Sequence, residues 1–519
     1  MNDMNEEGAT STRRSQRLRA ERIRRILAGL VTMALLVAAF LALSVLRLAP
    51  WLEDSAEAAA GAREYAVSQT QTTAYCPARM TLPDAGSYGD SAYQSSQGDI
   101  ASAARYAAFG SVLQAQVSSL DGNADNDQIL EDADLQDQAN VKVASGNADH
   151  GARLFDEHLL KAATGSGSAG SVASWATTGD LKGLSAASCV RTGLSHSFLL
   201  PATHTGITQQ LVVANPSAKA TSLQLDVRGT EHAGTLTLST GRTLSVAAHG
   251  QVTLDLSAAA PRQDGLFVTV SSKETPIAAV VRVVSMEGLT SKGSDFAVPV
   301  VASRSTVLDG LESGDKVTVF AYSRKATALK LQWLSPAGVT AAGSWKLDGG
   351  KVAVITPSDM PSNATSLVAA ANGATAVQAM AANTVRGGSA DFAFLGSQPG
   401  ATSSAVAMPD KVQGRITLSN PDTRVHTATM ISYDGSGRQL DSRKLELGAE
   451  TALNLDASDL GGDARLLVLN DAQGLHWGVR LSQRDVDDAK LAGVATLSPQ
   501  PLEPQHARVR VIRDPRIVR

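Results

Sequence analysis

Gln210-Leu211-Val212-Val213-Ala214-Asn215-Pro216 is the stretch on which the fold reading turns. An apolar strand runs into Asn-Pro. Asn bonds backbone groups in a turn, while Pro fixes φ and lacks the N–H needed to pair onward. Asn215 is therefore read as a turn residue rather than a catalytic one. A second strand follows at Ser222 to Val227. The same order recurs later in the chain, with Arg415 to Ser419, Asn420-Pro421 and Ala428 to Ser432; a middle copy runs from Lys316 to Ala321 and from Ala328 to Trp333.

Each copy continues alike. Hairpins are expected at Thr243 to Ala247 with Gln251 to Leu256, Ser344 to Leu347 with Lys351 to Ile355, and Arg443 to Leu447 with Thr451 to Leu455. A closing hairpin follows in each: Leu266 to Val270 with Ile277 to Val283, Ser366 to Ala370 with Ala376 to Met380 across Asn372-Gly373, and Arg465 to Leu469 with His476 to Leu481. Units of roughly 100 residues with about seven strands have the size of immunoglobulin-like domains, without the Cys and Trp hallmarks of antibody domains. The chain thus reads as mainly β, with three tandem immunoglobulin-like sandwich units at 194–297, 298–400 and 401–500.

Upstream, Ser68 to Thr81 reads as a strand carrying Cys76-Pro77. From Asp84 to about Asp180 the chain is mostly Ala, Ser, Gly, Asp and Gln. Few large apolar side chains are available to bury there, so 66–193 reads as a strand followed by a low-complexity acidic insertion, part helix and part loop. Cys76 and Cys189 are the only cysteines. An even count on one side of a membrane segment, in an oxidising compartment, suggests a disulfide between them.

Three stretches carry a resemblance: the Cys76-Pro77 strand; Gly179-Asp180-Leu181-Lys182-Gly183-Leu184 leading to Cys189; and Leu211-Val212-Val213-Ala214-Asn215-Pro216 followed by Leu225-Asp226-Val227-Arg228-Gly229. The arrangement resembles a family of actinobacterial membrane-anchored proteins of unknown function. What the resemblance implies is a place, the cell envelope, and no known chemistry.

Near the N-terminus an uncharged apolar run, Ile26 to Leu46, is long enough at about 1.5 Å per residue to cross a hydrocarbon core of about 30 Å. Arg13, Arg14, Arg17, Arg19, Arg22, Arg24 and Arg25 precede it and Glu53, Asp54 and Glu57 follow, which places the N-terminus in the cytoplasm. The expected order is a basic cytoplasmic segment (1–25), one transmembrane helix (26–48), a juxtamembrane linker (49–65) and an extracytoplasmic body. Ala56-Glu57-Ala58 also fits a signal-peptide cleavage site, but the apolar run exceeds the usual h-region of about 7–15 residues, which argues for retention. The chain ends in a basic, Pro-containing tail (501–519) with Arg508, Arg510, Arg513, Arg516 and Arg519. These could contact a polyanion, although a solvated tail explains them as well.

Chemistry is sparse. A net charge of −4 gives no global field for nucleic acid, and 4% aromatic residues disfavour surfaces that stack bases or sugars. Asp121, Asn123, Asp125 and Asp127 fall at positions 1, 3, 5 and 7 of a calcium loop ending in Asp132. Asn126 stands where Gly is needed and the terminal Glu is absent, so a solvated acidic loop is the better reading. Gly89-Asp90-Ser91 lacks the strand and helix that expose a nucleophile. No catalytic residue, metal or cofactor is assigned. The expectation is a noncatalytic envelope protein that meets another protein or a cell-wall polymer. A carbohydrate-binding or carbohydrate-processing ectodomain is the alternative, with Trp333, Trp345 and Trp477 as its candidate aromatics.

Overall fold

The computed structural model describes residues 31, 33–38, 63–83, 95–123, 127–132, 141–385, 387–396 and 400–511. The chain divides into two compact units, 1–67 with 506–519, and 68–505. In the first, residues 31 and 33–38 are helical, and strand Arg63–Gln69 pairs with Gln505–Val511. Arg508 and Arg510 thus lie in a strand rather than in the loose tail expected from sequence; Arg513, Arg516 and Arg519 lie outside the described residues, as do the seven N-terminal arginines. Among the described residues no helix is long and apolar enough to cross a membrane, and most of the expected span falls outside them.

The second unit is built from one eight-strand pattern. Around the Asn215-Pro216 turn the strands are Ser195–Leu200, Ile207–Asn215, Thr221–Arg228, Thr243–Val246, Gly250–Asp255, Leu266–Ser272, Ala278–Glu287 and Thr290–Ala297. One sheet has the order first, sixth, third, fourth; the other has fifth, second, seventh, eighth; every pairing is antiparallel. Leu211, Leu225, Val268 and Val281, drawn from both sheets, share one core. In an immunoglobulin constant domain the first strand lies beside the second. Here it lies beside the sixth, in the opposite sheet.

Residues 404–497 repeat this order strand for strand. Residues 303–395 repeat it with one fusion: Ser366–Thr384 serves as sixth strand in its first half and as seventh in its second.

One more copy, the first of four in chain order, occupies 71–188, the region expected to be a low-complexity insertion. Its strands are Gln71–Cys76, Ala101–Phe109, Val112–Ser119, Gln128–Asp132, Lys142–Gly146, Arg153–Leu159, Gly167–Ala176 and Gly183–Ser188, paired in the same order. The small residues that suggested a missing core are the core. All ten residues of Gly167–Ala176 are buried, because this strand is covered on both faces. Gly170 packs against the Cys189 sulfur and Tyr106, and Ser171 Oγ donates to the Ala407 carbonyl of the last copy.

The four copies close a ring through one kind of contact. At three junctions the first and sixth strands of one copy bury apolar side chains against the second strand of the next; between the third and fourth copies their apolar partner is Ala452 of the fifth strand, and the second strand meets them through Ser419. Tyr75 and Leu154 meet Val212 and Ala214; Leu199 and Phe267 meet Phe320 and Tyr322; Val307 and Val368 meet Ala452; Ala405 and Val468 meet Ala107 and Phe109. The fourth copy therefore packs on the first. The opening stretch shows the consequence: Leu211 and Val213 face their own core, Val212 and Ala214 face the preceding copy, and the strand reads as a continuous apolar run. Its terminal Asn215 is fully buried and donates to Lys219 O and Ala247 O, as Asn420 does to Arg424 O and Gly448 O.

Cys76 and Cys189 form a disulfide, with Cα atoms 4.3 Å apart. It joins the end of the first copy's first strand to the point where the chain leaves its eighth strand, and Val190 then pairs with Tyr75. The bridge spans 113 residues of chain. Replacing both cysteines by serine is expected to lower stability by about 4–5 kcal/mol in the chain-entropy account, read by denaturant titration of oxidised wild type against the variant.

Candidate functional site

At the centre of the ring the four eighth strands pack on one another in cyclic order. Two fully buried carboxylates tie them together. Asp295 Oδ1 accepts from Ala186 N (3.1 Å) and Oδ2 from Phe394 N (2.8 Å), linking the second copy to the first and third. Asp391 Oδ2 accepts from Leu184 N (2.9 Å) and Val494 N (3.1 Å), linking the third to the first and fourth. Room for Asp391 comes from Gly183 and Gly293, both at positive φ; a Cβ on Gly183 would stand 2.6 Å from its Oδ2, and one on Gly293 would collide with its Oδ1.

Burial pushes the Asp391 carboxyl up to about 8, against the pull of its N–H donors. Burial raises Asp295 well above the ordinary carboxylate range, and the nearby charge of Asp391 adds to the rise. An unfolded Asp titrates near about 3.9. The folded chain therefore holds more protons between that value and about 8, and this stabilisation is complete below the lower value and lost as pH rises through the upper one. Unfolding free energy is expected to fall across that window. Asp391→Asn, which cannot ionise, should flatten the fall. It should also cost about 1–3 kcal/mol at acid pH by turning an amide donor toward an N–H donor. Denaturant titrations below and above the window read both effects.

Between the third and fourth copies runs an ionic seam. Arg480 Nη1 and Nη2 donate to Asp315 (2.7 and 3.1 Å), and Arg480 also pairs with Glu312 (3.3 Å). Arg415 bridges Glu312 (3.2 Å) and Asp456 (3.0 Å). Deeper in the same junction Asp309 accepts from Ser366 Oγ (2.7 Å) and Ser419 Oγ (2.5 Å); burial raises its carboxyl to about 6. The seam borders a cleft of about 600 Å³ that also presents Arg465 and Asp487, so its cations face acids. Arg480→Met is expected to cost about 3–5 kcal/mol by stranding the buried Asp315 carboxylate. Arg480→Met with Asp315→Leu should recover most of that loss in the same denaturant titration.

A second groove, of about 550 Å³, lies between the second and third copies. Phe267 and Tyr322 stack at its base with centroids 4.0 Å apart, and exposed Arg324 and Lys325 stand at its rim.

The residues singled out from sequence do not converge on either opening. The proposed calcium loop is a hairpin connection. Asp121 accepts from Ser119 Oγ and Asn123 N, Asp127 accepts from Ser119 N and Gln116 Nε2, and Asp132 sits in a strand opposite Gln114. A calcium loop needs its last ligand to turn back toward the first, whereas the strand carries Asp132 away. Asp125 lies outside the described residues, as does Gly89-Asp90-Ser91. Trp333 and Trp477 are 2% and 5% exposed, Trp477 donating to Ser404 Oγ, and Trp345 is half-buried against the third core. Asp295, Asp391, Asp315 and Arg480 were not singled out from sequence. A charged residue inside an otherwise small or apolar strand, as in Gly293-Ser294-Asp295-Phe296 and Ser389-Ala390-Asp391-Phe392, was the available signal.

The family described as "Family of unknown function (DUF5719)" matches residues 143–458, more than half of the chain. The chain belongs to this family. The DUF5719 match runs from the fifth strand of the first copy to just past the fifth strand of the fourth, so it crosses three of the four ring junctions. No curated protein matches the chain. Among solved structures, the tetra-tandem repeat in the extending region of a large adhesion protein is similar over 84% of this chain and 98% of its own, at 11% identity and a TM-score of 0.10, a likeness too distant to carry an argument.

Proposed function

We propose that this DUF5719 protein is a noncatalytic, membrane-anchored protein of the cell envelope whose ring of four sandwiches presents fixed surfaces to an envelope protein or wall polymer. The observation that supports the reading best is how the buried polar groups are used. Asp295, Asp391, Asp309, Asp315 and Arg480 all bond across junctions between copies. These groups hold surfaces in register, which suits a body that recognises by shape. The anchoring half of the proposal rests on the apolar run Ile26 to Leu46 and its flanking arginines. With two of the three candidate tryptophans in cores, a sugar-stacking face is the weaker reading.

Two measurements test the two halves. A Lys444→Cys variant should react with a membrane-impermeant thiol reagent in intact cells; reaction only after lysis would contradict an extracytoplasmic body. Crosslinking in intact cells followed by affinity isolation should recover a specific envelope partner joined through the ring. Recovery of the chain alone would count against an interaction role, and recovery of wall glycan alone would favour the carbohydrate reading.

A further inference from the structure

The ring has the same opening at two of its junctions, beneath the turn that follows the second strand and the turn before the seventh. Between the first and second copies it measures about 400 Å³, and its lining includes Asp156 and His249 but no Lys or Arg. Between the second and third it reaches about 550 Å³, within the range of ligand sites. There the charge also changes: Arg324 and Lys325 line the opening and no acidic side chain does. In the larger cleft at the third junction, by contrast, arginines are answered by Glu312 and Asp456. The groove at the second junction leaves two exposed cations to be matched by something outside the chain.

Its floor narrows what that is. The Phe267 and Tyr322 rings lie 12° from parallel and stack on one another, so one face of each ring is taken up. Around them Val300, Ala302, Ala374 and Ala376 make an aliphatic trough. An aliphatic trough and a cationic rim match an extended chain that carries alternate apolar and acidic side chains. We propose that this groove docks an acidic peptide segment of a partner protein, with carboxylates on Arg324 and Lys325 and aliphatic side chains on the trough. The proposal rests on the interaction reading above and names the chemistry of the partner.

The test uses the full chain in detergent micelles and a fluorescent hexapeptide alternating glutamate and leucine, followed by anisotropy. Wild type is expected to bind saturably and more weakly as salt rises, while the same peptide with lysine for glutamate does not bind. Arg324→Glu with Lys325→Glu should weaken binding about tenfold or more. Ala374→Trp, which fills the trough at an exposed position, should weaken it without changing charge, and Lys444→Glu, on the fourth copy, should leave it unchanged. Equal binding by wild type and the double variant, or no saturable binding by wild type, overturns the proposal. Capture of an envelope partner in intact cells by the double variant as efficiently as by wild type would sink the groove and leave the interaction reading standing.

Discussion

The outer face of each second strand is covered by the preceding copy: it is apolar in three repeats, with Val212 and Ala214, Phe320 and Tyr322, and Ala107 and Phe109, and in the fourth it carries Thr417 and Ser419, the latter bonded to Asp309. A surface patch of one copy meeting a different patch of the next is a head-to-tail contact. Such contacts either extend into a filament or close when the rotation allows. Here the last contact falls between the fourth copy and the first, where Leu466 and Val468 meet Phe109 and Ala169, and Arg105 donates to Met408 O (2.9 Å) and pairs with Asp410. Closure covers these faces between copies, and it brings the four eighth strands together at the centre.

That centre explains the two buried carboxylates. Four strands that converge without a shared ladder leave backbone N–H groups pointing inward, and a buried N–H without a partner is costly. Asp295 and Asp391 satisfy these donors, and they do so between copies, so each junction strengthens its neighbours. The desolvation that raises both carboxyls is the cost of placing them there. The ionic seam of Arg480 and Asp315 follows the same logic at one flank of the ring.

Much of the fold was legible in the sequence where side chains are large. The strands around Asn215-Pro216 and Asn420-Pro421 and the mainly β character follow from apolar runs and turn residues whose bonds the structure shows. The cysteine pair was legible from its even count. The first copy was not, because its strands are Ala, Ser and Gly, and composition cannot distinguish a chain too small-sided to form a core from one selected for close approach on both faces. Of the candidate grooves nothing was visible beforehand. Arg324 and Lys325 look like ordinary turn cations until the ring sets them beside Phe267 and Val300 of another copy.

The central claim is that the ring is closed and locked at its axis, and hydrogen exchange of the full chain tests it most directly. The amides of Leu184 and Val494 belong to the first and fourth copies and both donate to Asp391 Oδ2. The account predicts that both exchange as slowly as amides in the sheet cores, and that Asp391→Asn speeds the two together. Fast exchange at either amide in wild type, or acceleration of one without the other, would contradict a closed ring.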